Sequence, residues 1–326
     1  MQALRDISLV APAGEITCLL GSSGCGKSTL LSLAAGLLPV QQGAILLGGE
    51  VLADETRAPP PEKRPVGLVF QEGALFPHMT LARNIAFGLP KARHGEIAGW
   101  LDQVGLAGLG SRYPHELSGG QQQRAALARA MAPGPAVLLM DEPFASVDIV
   151  LRRSLRRDCR MLLKERGATT ILVTHDPGEA LDIGDRIAVM EAGRIVQFGS
   201  PEELHEAPAA ASVGAMFSGA QVVPAERRGE ALATPFGDWP AACVIGPVPD
   251  AARLELLVHA RALDLVPDAA GLPVRDVHGL GDGRVRVLLG EKGGRDLAIE
   301  AGEAPSPGER FRVVPQTGSV RAFAAG

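Results

Sequence analysis

With 326 residues the chain has room for two domains and a sizeable core, and its 46% hydrophobic and 21% charged residues are ordinary for a globular protein. The net charge of −5 and pI near 5.9 speak against a nucleic-acid binder, which usually carries a basic face. Four scattered cysteines, Cys18, Cys25, Cys159 and Cys243, include no CxxC pair. Neither a disulfide framework nor a zinc site is indicated, and a reducing cytoplasm fits.

In chain order, the start MQALRDISLV lacks a signal-peptide layout, and no apolar run approaches the roughly 20 residues a membrane-spanning helix needs. A role at a membrane would require docking onto other subunits. Ile16 to Leu20 reads as a buried strand, followed by a glycine-rich loop and a helix over Ser28 to Leu38. Arg57 to Pro65 is a proline-rich loop. Ser118 to Met131 reads as a turn and then a helix rich in Ala, Gln and Arg. Val137 to Met140 and Thr170 to Val173 are continuous apolar runs, as expected of parallel strands covered on both faces. Between them Arg152, Arg153, Arg156, Arg157, Arg160, Lys164 and Arg166 fall at helical spacing, read as a solvated face rather than a binding patch. After Phe217 the style changes to short strands with Gly and Pro turns, such as Arg253 to Val258, Arg284 to Leu289 and Arg310 to Val314. The expected fold is an α/β phosphate-loop domain followed by a small all-β, barrel-like domain over 219–326.

Gly21-Ser22-Ser23-Gly24-Cys25-Gly26-Lys27-Ser28 fits G-x-x-x-x-G-K-[ST], directly after a predicted strand and before a predicted helix. Its glycines let successive N–H groups curl around phosphate oxygens, and the helix N-terminus adds partial positive charge. Lys27 reaches the β- and γ-phosphates, and the Ser28 hydroxyl is a Mg²⁺ ligand. Cys25 inside the loop is read as a filler rather than a catalyst. At the end of the Val137 strand, Asp141 is placed to hold Mg²⁺ and Glu142 to polarise a water aimed at the γ-phosphate.

Leu117-Ser118-Gly119-Gly120-Gln121-Gln122-Gln123-Arg124, lying between the phosphate loop and DEPFASVD, resembles the signature of ATP-binding cassette (ABC) ATPases. The resemblance covers most of residues 1–217 and implies an ATPase domain over 1–218 with a helical signature subdomain. It implies that ATP and Mg²⁺ are bound by Gly21 to Thr29. Glu142, His175 and Gln71 are the implied catalytic residues, with Ser28, Gln71 and Asp141 at the metal. Ser118, Gly119, Gly120 and the D-loop Asp148 would contact ATP across a head-to-tail homodimer. Ser146-Val147-Asp148 stands where Ala-Leu-Asp is commoner, a mild departure. A larger one is the aromatic residue that stacks on adenine in this family, which the resemblance places ahead of Met1. Ala3 to Leu9 looks like the strand that follows that region, so the first strand is expected to be missing. Either the recorded start lies downstream of the true one, or nucleotide is held more weakly, by about 1–3 kcal/mol for a lost stack.

The leading reading is an importer ATPase with a regulatory C-terminal domain of oligonucleotide-binding-fold type, Val258 to Leu263 falling at that domain's first recognisable strand and turn. It would be peripheral, on the cytoplasmic face of the plasma membrane. Its expected partners are permease subunits and, through them, a substrate-binding protein, with no nucleic acid. Gly73 to Met79 is apolar for a loop, and its family counterpart receives a short permease helix. Phe70 to His78, Tyr113 to Leu117 and Val222 to Ala225 look most like ferric-iron importers. Sulfate, molybdate, polyamine and sugar importers share most of the frame. A ribosome- or DNA-directed ABC protein would carry two cassettes or a coiled coil. A phosphate-loop kinase would have no use for LSGGQQQR, and a non-hydrolysing subunit fits poorly with the catalytic residues present.

Overall fold

The computed structural model describes residues 3–70, 75–145 and 147–325. The chain forms two compact units, Met1–Glu202 and Glu203–Gly326.

The first unit contains β1 (Ile16–Leu20), α1 (Lys27–Ala35), β2 (Ala44–Leu47), β3 (Glu50–Asp54), β4 (Val66–Val69), α2 (Leu81–Ala86), α3 (Ile97–Gln103) and α4 (Gly119–Met131). These are followed by β5 (Val137–Asp141), α5 (Ile149–Glu165), β6 (Thr170–Thr174), α6 (Pro177–Ile183), β7 (Arg186–Glu191) and β8 (Arg194–Gly199). Six strands make one sheet in the order β4-β5-β6-β1-β7-β8, parallel except for β8. The runs ITCLL, VLLMD and TILVT sit at its centre, where both faces are covered and no polar alternation is needed. In register, Leu20 lies opposite Thr174 and Asp141 opposite Val173, so the loops after β1, β5 and β6 emerge at one level of the sheet's carboxyl end. That is where ligands bind in open α/β sheets.

The segment Ala3 to Leu9, expected as a strand, is not one. Asp6 adopts φ 53°, which breaks the pleat. Arg5 N–H donates to Gly193 O at 2.7 Å, and no ladder forms along the segment among the described residues. β2 and β3 pair with each other as a separate two-stranded sheet.

α7 (Pro201–Glu206) runs across the boundary between the units. The second unit holds α8 (Ala211–Ser218), β9 (Gln221–Arg228), β10 (Ala231–Thr234), β11 (Gly237–Pro240), β12 (Arg253–Val258), β13 (Leu263–Gly279), β14 (Val285–Leu289), β15 (Leu297–Ala301), β16 (Arg310–Pro315) and β17 (Val320–Ala324). Two antiparallel sheets, β11-β10-β9-β12-β17 and β15-β14-β13-β16, share one core that includes Val223, Trp239, Leu256, Val287, Ile299 and Val313. The long β13 serves both ends of its sheet. It pairs with β16 up to Pro273 and with β14 from Val274, and a register shift between Pro267 and Leu272 bends it. α8 belongs to this unit, because Gly214 packs so closely that a Cβ there would lie 2.4 Å from Leu257 Cδ2. The unit therefore begins ahead of the change in sequence style at 219. Among the described residues, no helix is long and apolar enough to cross a membrane.

Candidate functional site

The loop between β1 and α1 is shaped by its glycines. A Cβ on Gly21 would fall 2.2 Å from Met190 O and 2.8 Å from Cys25 Sγ. Gly26, at φ 108°, caps α1 in the left-handed region, and a Cβ there would meet Leu4 Cδ2 and Ala3 O. No side chain caps this helix start, which leaves its first-turn N–H groups for an external anion. Ser22, Ser23, Gly24 and Ser28 form the exposed rim, with Thr29 half-buried beside them. Cys25 is 4% exposed and packs into the apolar cluster with Leu19, Leu31 and Val173, which suits the filler reading. Lys27 is buried, its Nζ donating to Gly21 O at 2.7 Å and Ser22 O at 2.9 Å.

Ser28 Oγ stands 3.4 Å from Asp141 Oδ1, joining the helix start to the end of β5. Burial, and then the neighbouring charge of Glu142, push the Asp141 carboxyl above its ordinary range against the pull of Ser28 and Lys27. A cation here would relieve that penalty. A hydroxyl and a carboxylate are hard oxygen donors suited to Mg²⁺, which completes its shell with water and phosphate. The residues present thus fit both halves of a Mg²⁺–nucleotide pair.

Glu142 has φ 42°, a strained backbone for a glutamate, and its N–H donates to Val173 O at 3.0 Å. Its Oε1 lies 3.1 Å from His175 Nδ1 at the end of β6. Asp176 follows. Its N–H donates to Thr174 Oγ1 at 3.0 Å, and its Oδ1 caps α6 by accepting from Gly178 and Glu179 N–H.

Ser118 is the N-cap of α4, in a reciprocal capping box: Ser118 Oγ accepts from Gln121 N–H at 3.3 Å, and Gln121 Oε1 accepts from Ser118 N–H at 3.0 Å. Among the described residues, no hydrogen bond or ion pair joins Ser118, Gly119 or Gly120 to the cluster of Lys27, Asp141, Glu142 and His175. Asp148 is exposed at the head of α5, its carbonyl accepting from Arg152 N–H. Gln71 lies outside the described residues. Past the end of β4, Phe76 to Met79 form a pinned turn. The buried Asn84 donates to the carbonyls of Phe76, Met79 and Thr80 and accepts from Phe76 N–H.

The basic stretch on α5 is not one solvated face. Arg153 and Arg157 are exposed, but Arg156 is buried, Arg152 and Arg160 are half-buried, and the exposed Lys164 is bonded to Asp185. The physical reason is a second row of charge. Asp176, Glu179, Asp182 and Asp185 present carboxylates on and after α6, and Arg156, Arg160 and Lys164, four residues apart on α5, face them, while Arg152 bonds the Val147 carbonyl. Arg156, with a side chain 8% exposed, contacts Asp176, Glu179 and Asp182. Burial pushes Glu179 up to about 7, against the pull of Arg156, whereas the bonds from Arg156 keep Asp176 low despite its own desolvation. The four-residue spacing of the bases and the three-residue spacing of the acids were the signal available in the sequence.

This geometry defines a phosphate-loop nucleotide site at the carboxyl end of a parallel sheet. Residues 4–145 match the family described as ABC transporter. The chain is 43% identical over 327 residues to the sulfate/thiosulfate import ATP-binding protein CysA 2 of Chromobacterium violaceum, across 96% of this chain and 87% of that protein. It is 50% identical over 228 residues to the Fe(3+) ions import ATP-binding protein FbpC of Pseudomonas fluorescens, across 69% of this chain and 64% of that protein. To the sulfate/thiosulfate import ATP-binding protein CysA of Mycobacterium tuberculosis it is 51% identical over 217 residues, 65% of this chain and 61% of that one. The last two matches span less than two thirds of the relatives' own lengths. The chain belongs to the ABC transporter ATPase family, and ATP with Mg²⁺ is its cofactor pair.

Proposed function

We propose that the chain is the ATP-hydrolysing subunit of an importer, acting as a head-to-tail homodimer beneath membrane permease subunits at the cytoplasmic face. The observation that carries this reading is the convergence of Lys27, Ser28, Asp141, Glu142 and His175 at one end of the parallel sheet, with His175 3.1 Å from Glu142. Lys27 exchanges the Gly21 and Ser22 carbonyls for phosphate oxygens, and the loop N–H groups cradle the rest. Ser28 and Asp141, assisted by Gln71, would hold Mg²⁺, which would supply charge neutralisation at the phosphates when bound. Glu142 accepts the proton of the attacking water, and His175 fixes that carboxylate while reaching toward the γ-phosphate.

Ser118, Gly119, Gly120 and Asp148 serve the ATP of the partner copy, in keeping with the lack of a bond from the signature to its own chain's cluster. The turn at Phe76, with Phe87 packed on its ring at 4.5 Å, is the docking surface for the permease. The C-terminal unit is regulatory. Ferric iron is the proposed cargo, on the likeness of Phe70 to His78 and Tyr113 to Leu117. Sulfate or thiosulfate is the second reading, favoured by the relative that parallels 96% of the chain under that name.

Glu142→Gln tests the chemistry. In excess ATP the variant is expected to run as a dimer in light scattering, with turnover reduced at least about a hundredfold. A variant that stays monomeric counts against the closed dimer, and retained turnover removes Glu142 as the base. Uptake of radiolabelled ferric iron and sulfate in cells lacking and regaining the gene separates the two cargoes.

A further inference from the structure

We infer that Arg156 is a positioning residue for hydrolysis, holding the loop that carries His175 at a fixed height above the sheet. The inference rests on the proposed roles of Glu142 and His175. Arg156 sits two turns into α5, the helix headed by Asp148, and its side chain is 8% exposed. Its Nη2 donates to Asp176 Oδ2 at 2.5 Å and Glu179 Oε2 at 3.1 Å, and its Nη1 to Asp182 Oδ2 at 3.4 Å.

Asp176 is the chain neighbour of His175, and every polar group it owns is engaged. Its N–H is bonded to Thr174 Oγ1, one carboxylate oxygen caps α6, and the other takes Arg156. The main chain on the C-terminal side of His175 is therefore tied to β6, α6 and α5 at once. The imidazole itself is 56% exposed and meets Glu142 across 3.1 Å. Rotation or a drop of the 174–176 backbone would move its ring off the Glu142 carboxylate. Among the described residues the ring's side-chain partner is Glu142, so its backbone is held through Asp176, which bonds Thr174, the start of α6 and Arg156. Arginine suits the task because its planar fork bonds several carboxylates in fixed directions, which a lysine cannot do. α5 is headed by Asp148, so the same guanidinium makes the helix after the D-loop and the histidine loop move as one body.

The test compares Arg156→Met, Arg156→Lys and Asp176→Asn, each in the full chain with His175 intact and with His175→Ala. ATP turnover, KM for ATP and the thermal midpoint are read for each. Asp176→Asn keeps an acceptor for the α6 cap while weakening the Arg156 contact, so it serves if Arg156→Met does not fold. With His175 present, Arg156→Met and Asp176→Asn should lower kcat about tenfold to a hundredfold, the effect of a misplacement of about an ångström, with KM within about twofold. Arg156→Lys should recover part of the loss. With His175→Ala, the Arg156 and Asp176 substitutions should lower kcat no further, because residues acting through one group are not additive. A full additional loss in that background overturns the inference, as does an unchanged kcat in folded Arg156→Met when His175→Ala alone is slow. If His175→Ala leaves kcat intact, the reading of His175 falls and the inference with it.

Discussion

The phosphate loop and the signature loop are both glycine turns that open a helix, yet they are built on opposite plans. In the first, the fold itself forbids a side chain. Gly21 lies against Met190 O, and Gly26 is left-handed with Ala3 and Leu4 against it. The helix start is left uncapped, so its N–H groups await an anion. In the second, Ser118 and Gln121 cap the helix themselves, and a Cβ on Gly120 would meet only open space. The phosphate loop leaves its helix start open for an anion that its own chain would bind. The signature is already complete as a helix start, and among the described residues nothing lies within 4 Å of where a Cβ on Gly120 would stand. A half-buried glycine with open space above its Cα suits close approach by something that arrives from outside, as the proposed head-to-tail dimer would require.

That contrast can be broken by substitution. The largest effect is expected from Lys27→Ala, which removes charge-assisted bonds worth about 1.5–3 kcal/mol each and should lower ATP affinity at least about a hundredfold in a fluorescent-nucleotide titration. Undiminished affinity would remove the phosphate-loop assignment. Gly21→Ala should follow, destabilising the chain by about 1–3 kcal/mol through forced overpacking, read in chemical denaturation. Ser118→Ala should lose about 1 kcal/mol of stability with its cap. Gly120→Ala sharpens the comparison most, since alanine is the better helix former by up to about 1 kcal/mol. The variant should be as stable as the parent or slightly more so, and slower in ATP turnover. Equal turnover would mean that the open space at Gly120 is only surface.

The features legible in the sequence were those set by local chemistry. The strands at Ile16, Val137 and Thr170 could be read because a parallel strand buried on both faces is an unbroken apolar run. The strands at Arg253 and Arg284 could be read from their short runs between Gly and Pro turns. What stayed hidden is set by distant partners. The strand order places β1 between β6 and β7, and no local pattern specifies that. The long β13 contains Pro267, Gly271 and Pro273, which read as punctuation but sit where the strand bends and changes partner. Ala3 to Leu9 has a strand's composition but forms no ladder among the described residues. On α5, helical spacing alone suggested a wet face, because the acids that pair with Arg156, Arg160 and Lys164 lie twenty or more positions further along the chain.

The backbone at Glu142 has a further consequence. A left-handed φ of 42° disfavours glutamate by about 1–3 kcal/mol, and glycine would occupy the same turn without that penalty. On the proposed role of Glu142, sturdiness and chemistry therefore pull in opposite directions at this residue. On that role, selection for heat tolerance alone would drift toward glycine here and deliver a longer-lived protein that grips nucleotide and turns it over far more slowly. Such a protein would be a clamp in place of a motor.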